Sequence, residues 1–103
     1  MTEQEFRLRA DQALDDLQHD LLPLADENDV EIDLRNGVLQ LVFEEPAPAK
    51  FVISPNAPVQ QIWVSARSRS FKLGWSDDAA TFVLDGESLD TLVTRLAREQ
   101  LGT

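Results

Sequence analysis

The sequence predicts an α+β fold: a two-layer sandwich with two helices on one face of a mainly antiparallel sheet of about six strands. Three observations predict it. Apolar residues recur at three- and four-residue spacing near both ends of the chain, the signature of one-sided helices. Between them, short runs alternate apolar with polar residues, the signature of one-sided strands. The runs are separated by hairpin-length turns, which join antiparallel neighbours. Two apolar helix stripes and one apolar sheet face bury each other, leaving the second sheet face in water.

The first helix is expected over residues 3–24, with Phe6, Ala10, Ala13, Leu14, Leu17, Leu21 and Leu24 on its stripe and Leu8 and Leu22 off it. Pro23 cannot continue a helix interior, so the helix is expected to end near Leu22. Asp26-Glu27-Asn28-Asp29 then reads as a polar turn, running into a strand with Val30, Ile32 and Leu34 on one face and Asp29, Glu31, Asp33 and Arg35 on the other. Asn36-Gly37 is a strong hairpin signal, because both residue types tolerate positive φ. Val38–Phe43 pairs back; Glu44–Ala49 is a loop, Lys50–Ser54 a strand and Pro55–Pro58 a stiff turn. Gln60–Ala66, Ser70–Trp75 and Ala80–Leu84 complete the sheet. Ser88 caps a second helix whose stripe is Leu89, Leu92, Val93, Leu96 and Ala97. No repeat or low-complexity tract marks a second domain, so residues 1–103 are expected to form one.

The charge is unusual. Asp and Glu number 19 against 9 Lys and Arg, a net charge of −10. All of it lies in residues 1–45, which hold 13 acids and 3 bases; residues 46–103 hold 6 of each. Such a field repels nucleic acid, whose binding needs a basic surface. No apolar run approaches the roughly 18 residues of a membrane span. The acidic start, Met1-Thr2-Glu3-Gln4-Glu5, is opposite in sign to a secretory or transit leader. The absence of Cys removes disulfides, thiolate catalysis and Cys-held metal centres. A soluble cytoplasmic protein is expected.

Three groups of residues are candidates for function. Asp29, Glu31 and Asp33 fall at i, i+2 and i+4 of one strand and so are expected on one face. Asp26 and Glu27 precede them, and Asp15, Asp16 and Asp20 lie on the preceding helix. Mutual repulsion among carboxylates favours a hard cation with oxygen ligands, bound superficially and weakly; the alternative is a solvated acidic face that guards an edge strand. The stretch from Asp26 lacks the Gly and Glu of an EF-hand loop, having Glu31 at the sixth position and Gly37 at the twelfth. His19, the only histidine, sits among Asp15, Asp16 and Asp20, either as a nitrogen ligand or as a surface imidazole.

Trp63 shares strand parity with Gln61 and Ser65, opposite Ile62 and Val64. It stands on the open sheet face as a binding anchor if Ile62 and Val64 face the helices, and is buried if the faces are swapped. Trp75, in parity with Phe71 and Leu73, reads as core. Arg67, Arg69 and Lys72 form a small basic cluster that either meets an acidic partner or is solvated. With no Cys or Tyr, one His, no phosphate loop and no nucleophile elbow, the chain has little equipment for a hydrolase.

Helix, six strands and helix, with an acidic first helix and strand and a Trp on a middle strand, resemble the frataxin family. Glu5-Phe6 and Ala10-Asp11-Gln12 resemble its opening helix, and Asp29–Asp33 with Asn36–Leu39 its first hairpin. Asn56–Ser65, containing Pro58-x-x-Gln61-Ile62-Trp63, is similar to its most distinctive segment; Phe71–Trp75 and Gly86–Leu89 fit the parts that follow. The resemblance spans essentially the whole chain.

It implies weak, superficial binding of ferrous and ferric iron at Asp15, Asp16, His19, Asp20, Asp26, Glu27, Asp29, Glu31 and Asp33. It implies action in iron–sulfur cluster assembly, as iron donor or as regulator, through contacts with the cysteine desulfurase and the scaffold protein. Gln61 and Trp63, with Glu31 and Asp33, would form the partner surface. No enzymatic activity is expected; ferroxidase action at the acidic ridge and a metal-independent acidic binding module are the alternatives. A monomer is implied, with iron-driven oligomers as a further expectation. Leu22-Pro23-Leu24-Ala25 thins the acidic end of the first helix relative to the family, and Ser54-Pro55-Asn56 departs from its turn. The chain stops at Thr103, where the family has a tail over the groove between the helices, which implies stability near the low end of ~5–15 kcal/mol.

Overall fold

The structure, a computed structural model, describes residues 1–103. Helix α1 (Glu3–Asn28) is followed by strands β1 (Glu31–Arg35), β2 (Val38–Phe43), β3 (Ala49–Asn56), β4 (Gln61–Ala66), β5 (Arg69–Ser76), β6 (Thr81–Leu84) and β7 (Glu87–Ser88), then helix α2 (Leu89–Leu101). The seven strands lie side by side in chain order, every neighbouring pair antiparallel. This is the α+β sandwich read from the sequence; the additional strand is the two-residue β7, too short to register as a pattern.

The apolar stripes meet as expected. Phe6, Ala10, Leu14, Leu17 and Leu21 of α1 and Leu89, Leu92, Val93, Leu96 and Ala97 of α2 are buried against Leu39, Leu41, Phe51, Ile53, Ile62, Val64 and Leu73 of the sheet. Phe82 is the aromatic hinge of this core, edge-on to Phe6 at 5.8 Å and to Trp75 at 5.2 Å. Trp75 itself is half-buried, packed on the core with its outer side under Arg9 at 4.4 Å. No polar side chain is buried. Neither helix is long and apolar enough to cross a membrane.

Helix α1 does not stop before Pro23; it runs through it to Asn28. The ring removes one N–H and crowds the carbonyl four residues back, a cost of about 3 kcal/mol in a helix interior. The extra turn buries Leu24 and Ala25, and a fully buried Leu alone returns about 1.5–3 kcal/mol. The end is then tied off: Asn28 Nδ2 donates to the Leu24 carbonyl at 2.9 Å, Asp29 turns left-handed at φ 54°, and the Val30 N–H donates to the Ala25 carbonyl at 3.0 Å. Asp26 and Glu27 are therefore helical, and Asp29 is a helix cap and not a strand residue.

The other boundary shifts are smaller. Pro55 and Asn56 belong to β3, where Pro55 faces Ile62 of β4. Pairing with β2 has ended by Ile53, so the N–H that Pro55 lacks has no ladder partner on that side. Ala57–Val59 forms a single 3₁₀ turn. Asn36 (φ 54°) and Gly37 (φ 76°) make the two-residue hairpin turn the sequence predicts.

Candidate functional site

The acidic residues occupy three surfaces. On β1, Ile32 and Leu34 pack on the core, so Glu31 and Asp33 project from the opposite, open face of the sheet. On α1, Asp15, His19 and Asp26 are exposed and point outward, with Asp11 beside the β1–β2 turn: a Cβ on Gly37 would lie 3.9 Å from its Oδ1. Asp16, Asp20 and Glu27 fall about 100° per residue round the same helix, on the flank towards α2. Asp20 and Glu27 there line a groove of about 280 Å³ with Thr94 and Arg98. The expected single ridge is thus divided: Asp16, Asp20 and Glu27 face the seam with α2, Asp15, His19 and Asp26 face outward on the helix layer, and Glu31 and Asp33 lie on the other side of the sheet. No three of the His, Asp and Glu side chains converge as a metal-holding group. The expectation that Asp29, Glu31 and Asp33 share one strand face is corrected, because the left-handed turn at Asp29 takes it off the strand.

His19 Nδ1 lies 2.9 Å from the Asp15 carbonyl oxygen and 3.8 Å from its carboxylate. That backbone hydrogen bond first, and the Asp15 charge second, raise its pKa above the usual imidazole value. The ring is therefore held by its own helix turn. Asp33 is 3.5 Å from the Arg35 guanidinium, the one cation beside the strand acids.

Sequence reading missed Asp90. It sits in the first turn of α2 and meets Asp20 across the seam between the helices. Partial burial first, then the Asp20 carboxyl, push it up to about 6, against a hydrogen bond to Thr94. No local pattern reveals this, because the meeting depends on how α1 and α2 align. Elsewhere on α2, Arg95 holds Glu87 through two hydrogen bonds of 2.9 Å and Glu99 through a third. The Glu87 carboxyl is lowered by that Arg95 hydrogen bond.

Trp63 stands on the open face, flanked by the buried Ile62 and Val64. The residue is 37% exposed. The indole Nε1 donates to Gln61 Oε1 at 3.0 Å, and Lys72 Nζ lies 4.8 Å from the ring centre. Trp63 and Lys72 are directly opposed in the β4–β5 ladder. With Val52, Ser54, Ser65 and Ser70 they line a shallow depression of about 350 Å³. The basic cluster divides: Lys72 joins the tryptophan, while Arg67 donates to Gln100 at 2.9 Å and both Arg67 and Arg69 lie within 4.0 Å of Glu99.

The chain matches the model of the frataxin-like domain over residues 1–103. It belongs to the frataxin family. Among its relatives, the iron-sulfur cluster assembly protein CyaY of Azotobacter vinelandii is 31% identical over 106 residues, covering 99% of this chain and 91% of that one. The protein of the same name from Pseudomonas aeruginosa is 33% identical over 93 residues, covering 86% of this chain and 84% of its own. The frataxin of Psychromonas ingrahamii shares the fold with a TM-score of 0.71 at 22% identity, over 97% of this chain and 91% of that one. The frataxin fold explains why the acidic strip and Trp63 can coexist on one small domain: the helices cover one sheet face and leave the other to carry both Trp63 and the β1 carboxylates.

Proposed function

We propose that this frataxin-family chain acts in iron–sulfur cluster assembly as a non-enzymatic, iron-binding regulator or iron donor, working in the cytoplasm with the cysteine desulfurase and the scaffold protein. Relatives covering nearly the whole chain carry the name iron-sulfur cluster assembly protein. The single observation that carries the reading is the open sheet face, which presents exposed Trp63, hydrogen-bonded Gln61, and the Glu31 and Asp33 carboxylates together. Trp in an exposed, oriented position is a strong interface anchor. A carboxylate strip steers a basic docking surface towards it.

Iron is cargo, not a resident cofactor. Asp15, Asp16, His19, Asp20, Asp26, Glu27, Asp29, Glu31 and Asp33 offer oxygen donors and one nitrogen to a hard cation, with solvent completing the shell. Carboxylates that diverge across a strip suit weak, rapidly exchanging ions. Bound iron lowers the strip's negative charge and so changes its attraction for a basic partner. The lack of a converged ligand set favours a second reading, an acidic partner module that works without metal. Retention of the desulfurase by the immobilised chain tests the partner claim: the wild type is expected to hold it and Trp63→Ala to lose most of it. Equal retention removes Trp63 from the interface.

A further inference from the structure

β1 is the outer strand of the sheet, paired with β2 on one side only. Its hydrogen-bonding parity follows from the hairpin. The turn contains two residues, Asn36 and Gly37, so the flanking pair Arg35–Val38 is a hydrogen-bonded pair, and so, two and four residues back, are Asp33–Gln40 and Glu31–Val42. The N–H and C=O groups of Ile32 and Leu34 therefore point away from β2, to the open edge. No turn, cap or side-chain hydrogen bond reaches either residue. This edge is bordered by charges in a fixed order, Glu31, Asp33 and Arg35, all on the open face.

We propose that the β1 edge takes up one extended segment of a partner as an added antiparallel strand, and that the segment reads acidic–apolar–basic–apolar–basic. Its two apolar residues exchange hydrogen bonds with Ile32 and Leu34 and lie towards the helix layer. Its central basic residue faces Asp33 in the non-hydrogen-bonded position, where Cα atoms come within about 4.5 Å and side chains are closest. The second basic residue faces Glu31, and the acidic one faces Arg35. Charge complementarity selects this occupant over a second copy of the chain. Antiparallel pairing of two β1 strands about Asp33 matches Glu31 with Arg35 twice but sets the Asp33 carboxylates against each other where side chains are closest. A segment with a basic central residue satisfies all three charges, and a second copy only two. The inference rests on reading β1 as part of the partner surface.

The test uses the full chain and the peptide Glu-Val-Lys-Val-Arg with capped ends, in three forms: unmodified, N-methylated at both Val, and charge-reversed as Lys-Val-Glu-Val-Glu. Amide hydrogen exchange is followed residue by residue. The unmodified peptide is expected to slow exchange at Ile32 and Leu34 about tenfold or more at saturation, while both altered peptides give no protection. Asp33→Lys is expected to weaken the unmodified peptide about tenfold. Equal binding of the N-methylated peptide, or binding of the unmodified one with the Ile32 and Leu34 amides unprotected, overturns strand addition in favour of simple charge attraction. Failure to bind overturns it as well. Failure of the wild-type chain to retain the desulfurase leaves this result unaffected, so the two readings fail separately.

Discussion

Lys72 holds its ammonium 4.8 Å from the centre of the Trp63 ring, from the directly opposing position in the β4–β5 ladder. With Gln61 accepting from the indole N–H at 3.0 Å, the ring is fixed at both its face and its polar edge. A side chain ordered before binding loses little further entropy when a partner covers it. A pre-ordered, exposed tryptophan suits the proposed interface, in a domain whose other large aromatic rings are buried or half-buried.

Trp63→Ala is therefore expected to change binding far more than folding. The ring is on the open face and outside the buried core, so the melting temperature should move by only a few degrees. Retention of the desulfurase should fall about tenfold or more, as for a central aromatic anchor. Thermal melts of both proteins, run beside the pull-down, separate the two effects. A large drop in melting temperature would reassign Trp63 to a structural role.

Asp90 gives a pH dependence of defined sign. Its folded-state pKa of about 6 lies above the ordinary carboxylate value, so the folded chain binds this proton more tightly than the unfolded chain. The stability it contributes is fully present below about pH 4 and is lost as pH rises through about 6. Asp90→Asn removes the repulsion from Asp20 while keeping a hydrogen-bonding side chain. The variant is expected to melt higher than wild type at pH 7, with the difference shrinking towards pH 5. Parallel melting curves at both pH values would show that the two carboxyls do not interact.

Pro23→Ala is expected to stabilise the chain by about 1–2 kcal/mol, since it restores a helical N–H and relieves ring crowding while giving back some unfolded-state entropy. Chemical denaturation at pH 7 measures this directly. No gain would mean that the helix has already relaxed around the ring.

Pro23 also shows what the sequence could and could not disclose. The alternation of Val38–Phe43 and the stripes of both helices were legible because each is a local period matched to one buried face. The end of α1 was not, because the burial that carries it past Pro23 comes from the sheet and α2. The turn between β4 and β5 was equally hidden in type: Arg67 and Ser68 both adopt positive φ, 52° and 62°, with neither Gly nor Asn to signal it. Trp63 was placed by strand parity, and its exposure decides between the two faces left open. The acidic strip was legible as charge and not as geometry. Glu31 and Asp33 lie on the far side of the sheet from α1, and Asp20 meets Asp90 from the opposite end of the sequence.

Iron binding at these acids is the core of the proposed function. Titrating ferrous iron into the chain without oxygen, while recording backbone amide signals, tests it most directly. Progressive shifts or broadening are expected at Asp15–Asp20 and Glu27–Asp33, at micromolar to millimolar iron, with the signals of Arg67 and Ser68 in the β4–β5 turn unchanged. Unmoved signals from Glu27 to Asp33 at millimolar iron would contradict it and leave the acidic strip as a docking surface alone.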